Sequence, residues 1–225
     1  MSTITPQILL RAYAAGIFPM AESAEDNALY WVEPEERGII PLNGLKISQS
    51  LRKSVRRKLF EVKIDHDFAG VIAQCAAKSP GRASTWINSR IRSLYTQLHR
   101  MGCCHSVECW QHGNLVGGLY GVRIGAVFFG ESMFSRVTDS SKVALVHLVA
   151  RLNYGGFKLL DAQFVNPHLE TLGAIQMPKL RYHQVMEPLL AMDADFHAFT
   201  QDDDPQAVLA WASPGQSTGS SPSLT

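Results

Sequence analysis

Two glycine-punctuated apolar runs, Leu115–Val122 and Ala126–Phe134, stand only three residues apart, and they constrain the fold more than any other part of the chain. The first contains Gly117-Gly118-Leu119-Tyr120-Gly121-Val122. The second continues as Phe128-Phe129-Gly130-Glu131-Ser132-Met133-Phe134-Ser135-Arg136. With Arg123-Ile124-Gly125 between them they read as two strands joined by a tight turn. Glu131 stands among apolar groups near the end of the second strand. A buried carboxylate is costly unless it meets a cation or donors. Glu131 is therefore a candidate for holding a ligand, with a structural ion pair as the plainer alternative.

The same run excludes familiar chemistries. Its glycines lie inside a strand that no helix follows, so they do not form a dinucleotide loop. Gly130-Glu131-Ser132-Met133-Phe134 is not G-x-S-x-G, which disfavours a serine hydrolase. No phosphate-binding P-loop occurs. The eight histidines show no metal-ligand spacing and the four cysteines no C-x-x-C pair, so no metal is expected and the thiols read as free in a reducing cytosol. The N-terminus lacks signal-peptide character and no apolar stretch is long enough for a bilayer. These features predict a soluble, cytoplasmic chain. A net charge of +1 leaves any nucleic-acid contact to local clusters.

Along the 225 residues, Thr5-Pro6 starts a helix that Gly16 ends, and residues 21–37 read as an acidic loop. Helices are predicted over 48–58, 67–77, 88–100, 140–153, 166–173 and 180–191, and strands over 60–65, 105–111, 115–122, 126–134 and 157–164. The organisation expected is a small N-terminal lobe (1–35) unable to bury a core alone, an α+β domain (36–199) with a central, mostly antiparallel sheet flanked by helices, and a disordered tail (200–225). The acidic, then Ser-, Gly- and Pro-rich composition suggests the tail. Strand Phe129–Phe134 and helix 140–153 are ordered as in the GNAT acetyltransferase fold. However, Ser135–Lys142 contains no glycine and Asp139 would repel a phosphate, which opposes an acetyl-CoA enzyme.

Three further groups carry chemistry. Asp161 and Gln163 stand at i and i+2 on one strand face, where Asp could accept a hydrogen bond and orient Gln. Both could equally bond to neighbouring loops. Arg52, Lys53, Arg56, Arg57 and Lys58 put five of the 21 Lys and Arg into seven residues. Such a run is commonly a solvated helix face, but it suffices for phosphate contacts. Trp86 is either core or a platform for a base.

Motifs along nearly the whole ordered chain resemble the leucyl/phenylalanyl-tRNA–protein transferases. They run from Leu9-Leu10-Arg11-Ala12-Tyr13 and Gly16-Ile17-Phe18-Pro19-Met20, through Trp31, Pro34, Arg37, Thr85-Trp86-Ile87 and His105-Ser106-Val107-Glu108, to Leu160-Asp161-Ala162-Gln163. The resemblance implies transfer of Leu or Phe, and also Met, from aminoacyl-tRNA to an N-terminal Arg or Lys of a protein, marking it for degradation. It implies no cofactor and a definite set of residue roles. Glu131 would hold the α-amino group, while Asp161 and Gln163 would assist attack. Leu119, Phe128, Met133, Leu148 and Leu160 would form the side-chain pocket. Trp86 and Met20 would contact the 3′-terminal adenosine, with Met20 standing where some members have Trp. The basic run 52–58 would contact the acceptor stem, and the protein is expected to act as a monomer. A non-catalytic tRNA-binding module is the alternative from another class.

Overall fold

The computed structural model describes residues 4–24, 26, 28–77 and 85–214. The chain opens with α1 (Pro6–Ala14), β1 (Phe18–Met20), β2 (Tyr30–Val32) and β3 (Glu36–Ile40). Next come α2 (Gln49–Arg56), β4 (Glu61–Ile64), α3 (Phe68–Ala76) and α4 (Ser89–Arg100). A meander follows, made of β5 (Cys104–Gln111), β6 (Asn114–Ile124) and β7 (Val127–Ser135). The remainder is α5 (Ser140–Tyr154), β8 (Leu159–Gln163), α6 (Pro167–Thr171), β9 (Ile175–Pro178), α7 (Lys179–Leu189) and α8 (Pro205–Ala212). Several helices start on side-chain caps: Thr5, Ser48, Asp67 and Asn88 accept the N–H groups of Ile8, Leu51, Gly70 and Ile91.

Seven strands form one sheet in the order β4-β5-β6-β7-β8-β3-β9. Every neighbour pair is antiparallel except β7 and β8. A long crossover is needed to make strands parallel, and α5 supplies it. The sheet carries helices on both faces. Leu51 and Val55 of α2, most of α5, and Val208, Leu209 and Ala212 of α8 share one core. Leu9 and Tyr13 of α1 join α3, α4 and the buried side of α7 in the other. Helix α5 is buried around its circumference, as an apolar helix should be. Its first turn lies so close to β6 that a Cβ on Gly117 would fall 2.2 Å from Ser140 Oγ. One glycine of the opening motif is therefore demanded by helix-on-strand approach.

Several elements differ from expectation. Within the supposed loop 21–37, β2 pairs with β1, and β3 starts at Glu36. Strand β3 runs between β8 and β9, yet its Glu-Arg-Gly start has no strand-like alternation. It forms because Arg37 finds a buried partner and because Gly38 lets the Phe164 backbone approach to 2.6 Å of where a Cβ would be. Strand β9, mostly exposed, is held by pairing with β3. Residues 205–212 are not a tail. Asp204 caps α8 by accepting the Gln206 N–H at 2.9 Å, and Asp202 binds His147 and Arg151 of α5. The acidic composition that suggested disorder thus serves as cap and clasp. Residues 78–84, and the rest of the expected tail at 215–225, lie outside the described residues. Among the described residues no helix is long and apolar enough to cross a membrane.

Because Leu209 is buried under α5, Leu209→Ala should destabilise the fold by about 2–5 kcal/mol. Urea denaturation would measure it, and a change near zero would return this segment to the status of a tail.

Candidate active site

The site forms where β7 and β8 part. Their parallel pairing runs only from Val127–Leu159 to Phe129–Asp161. On the other side of β7, Tyr120 pairs with Ser132 and Gly121 with Gly130. Glu131 is thus an extra residue, a β-bulge that re-aims side chains. The bulge moves Phe134 onto the α4 side of the sheet with Phe129, and Met133 onto the α5 side with Phe128. The Glu131 carboxylate reaches the tyrosines of the first of these sides. Tyr13 of α1 donates to Oε1 at 2.6 Å, Tyr95 of α4 to Oε2 at 3.0 Å, and Gln163 Nε2 to Oε1 at 3.2 Å. The two tyrosine hydroxyls also contact each other.

Asp161 is wholly buried and held by Arg37, itself 1% exposed. Arg37 Nε donates to both carboxylate oxygens at 3.0 Å and Nη2 to Oδ2 at 2.6 Å, while Nη1 donates to the Gly16 carbonyl at 2.8 Å. Tyr182 adds a donor at 2.6 Å. Asp161 Oδ1 then accepts the backbone N–H of Gln163 at 2.7 Å. So Asp161 orients Gln163 through its main chain, not its side-chain amide. Gln163 has φ 57, and the Phe164 N–H closes a three-residue turn onto the Ala162 carbonyl at 2.7 Å. A non-glycine residue in this region costs on the order of 1–3 kcal/mol and persists where its surroundings dictate it.

A cleft of about 310 Å³ passes through the opening. Its apolar wall is Leu119, Met133, Leu145, Leu148 and Leu160, its polar end Glu131 and Gln163, and its rim Phe18, Met20, Trp86, Phe164, Asn166 and His168. Of the sequence-predicted residues, Leu119, Met133, Leu148, Leu160, Trp86, Met20, Glu131, Asp161 and Gln163 meet here. Phe128 does not line the cleft. Its ring packs behind it on Phe157 and Phe196. The basic run belongs to α2 and the turn after it, packed beside α5 and α8; Ser54 bonds Asp139 at the start of α5. Arg37, Tyr13, Tyr95 and Tyr182 were missed as site residues. Tyr13 and Arg37 stand in quoted motifs, but Tyr95 and Tyr182 fit helix spacing as ordinary core.

Burial pushes Glu131 up to about 7, although the Tyr13 and Tyr95 hydrogen bonds pull it down; the Asp161 charge raises it and Arg37 lowers it. Burial and the nearby Glu131 charge hold Tyr13 and Tyr95 well above the ordinary phenol range, so both remain donors. Arg37 and Asp161 neutralise each other. The hydrogen-bond donors on Glu131 are all neutral, and no ion pair reaches it among the described residues. Charge and shape together suit a small ligand with an apolar body and one ammonium group.

The family profile described as leucyl/phenylalanyl-tRNA protein transferase matches residues 39–187, and that of its N-terminal domain residues 2–35. A leucyl/phenylalanyl-tRNA–protein transferase of Rhodopseudomonas palustris is 59% identical over 201 residues, 89% of either chain. Another, of Afipia carboxidovorans, is 56% identical over 89% of this chain and 88% of its own. The one from Rhodospirillum rubrum is 56% identical over 87% of this chain and 92% of its own. Among solved structures, L-PGS from Bacillus licheniformis overlaps 89% of this chain and 62% of its own with a TM-score of 0.39 at 10% identity, too slight a likeness to weigh.

Two outcomes are expected from this geometry. Glu131 is raised in the folded state, so its stabilising contribution is complete below about pH 4.5 and is lost as pH climbs through about 7. Glu131→Gln should therefore match wild type near pH 5 and exceed it by about 1–3 kcal/mol near pH 8 in urea titrations. A pH-independent difference would contradict the raised value. Arg37→Gln, which strands a buried Asp161 charge, should cost about 3–5 kcal/mol, read by thermal or urea unfolding.

Proposed function

Since the chain belongs to the leucyl/phenylalanyl-tRNA–protein transferase family, we propose that it moves Leu, Phe or Met from aminoacyl-tRNA to the α-amino group of a protein beginning with Arg or Lys. The new N-terminal residue would mark that protein for degradation. The observation that carries this reading is Glu131 at the polar end of an apolar cleft, surrounded by donors but, among the described residues, by no cation. The α-ammonium of the aminoacyl group is the partner it lacks.

In this mechanism the Leu or Phe side chain lies against Leu119, Met133, Leu148 and Leu160. Glu131 pairs with the donor ammonium and thereby keeps that amine from acting as nucleophile. Gln163, whose backbone Asp161 and Arg37 hold, sets the acceptor amine against the ester carbonyl. The carbon–nitrogen bond forms as the carbon–oxygen ester bond breaks. The acceptor nitrogen gives up a proton, and the ribose oxygen of the tRNA takes one as it leaves. The ester is already activated, so ATP is not needed. Holding the two reactants together can supply up to roughly 7–11 kcal/mol in ideal cases. An apolar pocket separates substrates differing by a methylene by only about 1–3 kcal/mol, so Leu, Phe and Met should compete.

Trp86 and Met20 on the rim would receive the terminal adenosine, and Arg52, Lys53, Arg56, Arg57 and Lys58 the acceptor stem. The single parallel pair β7–β8, with α5 between its strands, supports reading residues 36–199 as a GNAT-like domain with residues 1–35 as a lobe on it. The start of α5 speaks against a coenzyme A pyrophosphate there: Asp139 lies at φ 68 with its carboxylate on Lys142, and Ser140 is packed on Gly117. A cytoplasmic, monomeric protein fits these roles.

The test is transfer of labelled Leu from Leu-tRNA to a protein beginning with Arg and to the same protein beginning with Ala. Label on the Arg protein alone is expected. Gln163→Ala should lower turnover roughly 10²-fold with tRNA binding near wild type; equal loss of both would remove Gln163 from the mechanism. The kcat/KM of wild type should fall as pH drops below about 7, since Glu131 must be ionised to hold the ammonium.

A further inference from the structure

Outside the cleft, three metal-ligating side chains converge from parts of the chain far apart in sequence. Asp65 follows the edge strand β4, His105 is the second residue of β5, and His197 lies between α7 and α8. Asp65 Oδ2 is 2.7 Å from His105 Nδ1 and 3.6 Å from His197 Nε2. One ligand atom from each residue lies within 4.8 Å of the others. We propose that Asp65, His105 and His197 form a divalent-metal site of the zinc type, which ties the segment leading into α8 to the β4–β5 edge of the sheet.

The donor set is one carboxylate oxygen and two imidazole nitrogens, which a water as fourth ligand would complete to the tetrahedron zinc prefers. Bonds of about 2.0–2.1 Å place tetrahedral ligand atoms roughly 3.3 Å apart. The Asp65–His105 contact must therefore widen slightly and His197 must move in. His197 has freedom to do so, with its side chain 60% exposed. The other two ligands are already oriented. Asp65 Oδ1 accepts the Ser106 N–H at 2.7 Å, and the His105 ring is stacked on Phe196 at 4.2 Å and 13°. Such outer partners are what hold metal ligands in place. His99 Nδ1 lies 3.7 Å from Asp65 but is engaged with the Cys104 carbonyl at 2.9 Å, so it is not counted as a ligand. The neighbouring Arg151 guanidinium is held by Asp202 and the Phe196 carbonyl. Spacing rules read histidines close together in sequence, so they could not reveal a site assembled from residues 65, 105 and 197.

The experiment uses the full-length chain stripped with EDTA, in mildly alkaline buffer where imidazoles are neutral. Equilibrium dialysis should give one Zn²⁺ per chain, with a raised Tm. Co²⁺ in its place should show the intense visible bands of tetrahedral coordination without a thiolate charge-transfer band. His197→Gln should bind Zn²⁺ at least about tenfold more weakly, lose the Tm increase, and keep the metal-free Tm and the aminoacyl transfer of wild type. No bound Zn²⁺, binding unchanged by His197→Gln, or a thiolate band placing the ion on a cysteine would each overturn the proposal. Transfer activity is read separately, so a failed metal site leaves the proposed reaction untouched, and a failed reaction leaves the metal site standing.

Discussion

The buried Arg37–Asp161 pair is the interaction on which the site depends. It joins β3 to β8, and its third arm reaches the Gly16 carbonyl at the end of α1, so one guanidinium ties three chain segments together. The guanidinium also lies 4.8 Å from the Phe18 ring centroid and 4.7 Å from that of Tyr182. Burying two charges is expensive, and such a pair is no proof of added stability. Its value here is positional. With Arg37 in place, Asp161 is a fixed acceptor, and its remaining capacity holds the Gln163 N–H in a backbone conformation that Gln would rarely choose.

The second constraint is topological. A parallel pair inside an otherwise antiparallel sheet must be linked by a crossover, and the pair here separates after three residues. The gap passes through the sheet. One side offers the leucines of α5 and β8 and the other the tyrosines of α1 and α4, which is why one cleft is apolar at one end and acid-lined at the other. The bulge at Glu131 turns the carboxylate toward those tyrosines. Without it the alternation of β7 would have sent Phe134 to the α5 side of the sheet.

Much of this was legible in the chain. Capping residues and apolar periodicity located α1 to α5 and the meander, and the acid inside an apolar strand marked Glu131. Asp161 and Gln163 were legible as a pair, but not the manner of their coupling, because i and i+2 spacing cannot distinguish a side-chain bond from a main-chain one. Strand β3 stayed hidden because Arg37 breaks its pattern, and an arginine in a strand makes sense only once its partner, 124 residues away, is known. Strand β9 owes its form to pairing with β3, and helix α8, though capped locally by Asp204, owes its place to Asp202 clasping α5; neither of these contacts is local. The family resemblance placed Phe128 in the pocket, but a bulge three residues later decides which neighbours face the opening.

The sequence by itself determined most of the local elements and the family, and it pointed to the acid, the amide and most of the apolar residues that line the cleft, because capping, periodicity and motif order are properties of neighbouring residues. Only the tertiary structure decided that Glu131 has neutral donors around it and, among the described residues, no cation, that Asp161 is neutralised by Arg37, and that Tyr13 and Tyr95 complete the polar end. Those are facts about charge and distance between residues far apart in the chain. The electrostatic character of the cleft depends on them, and no local pattern can encode it.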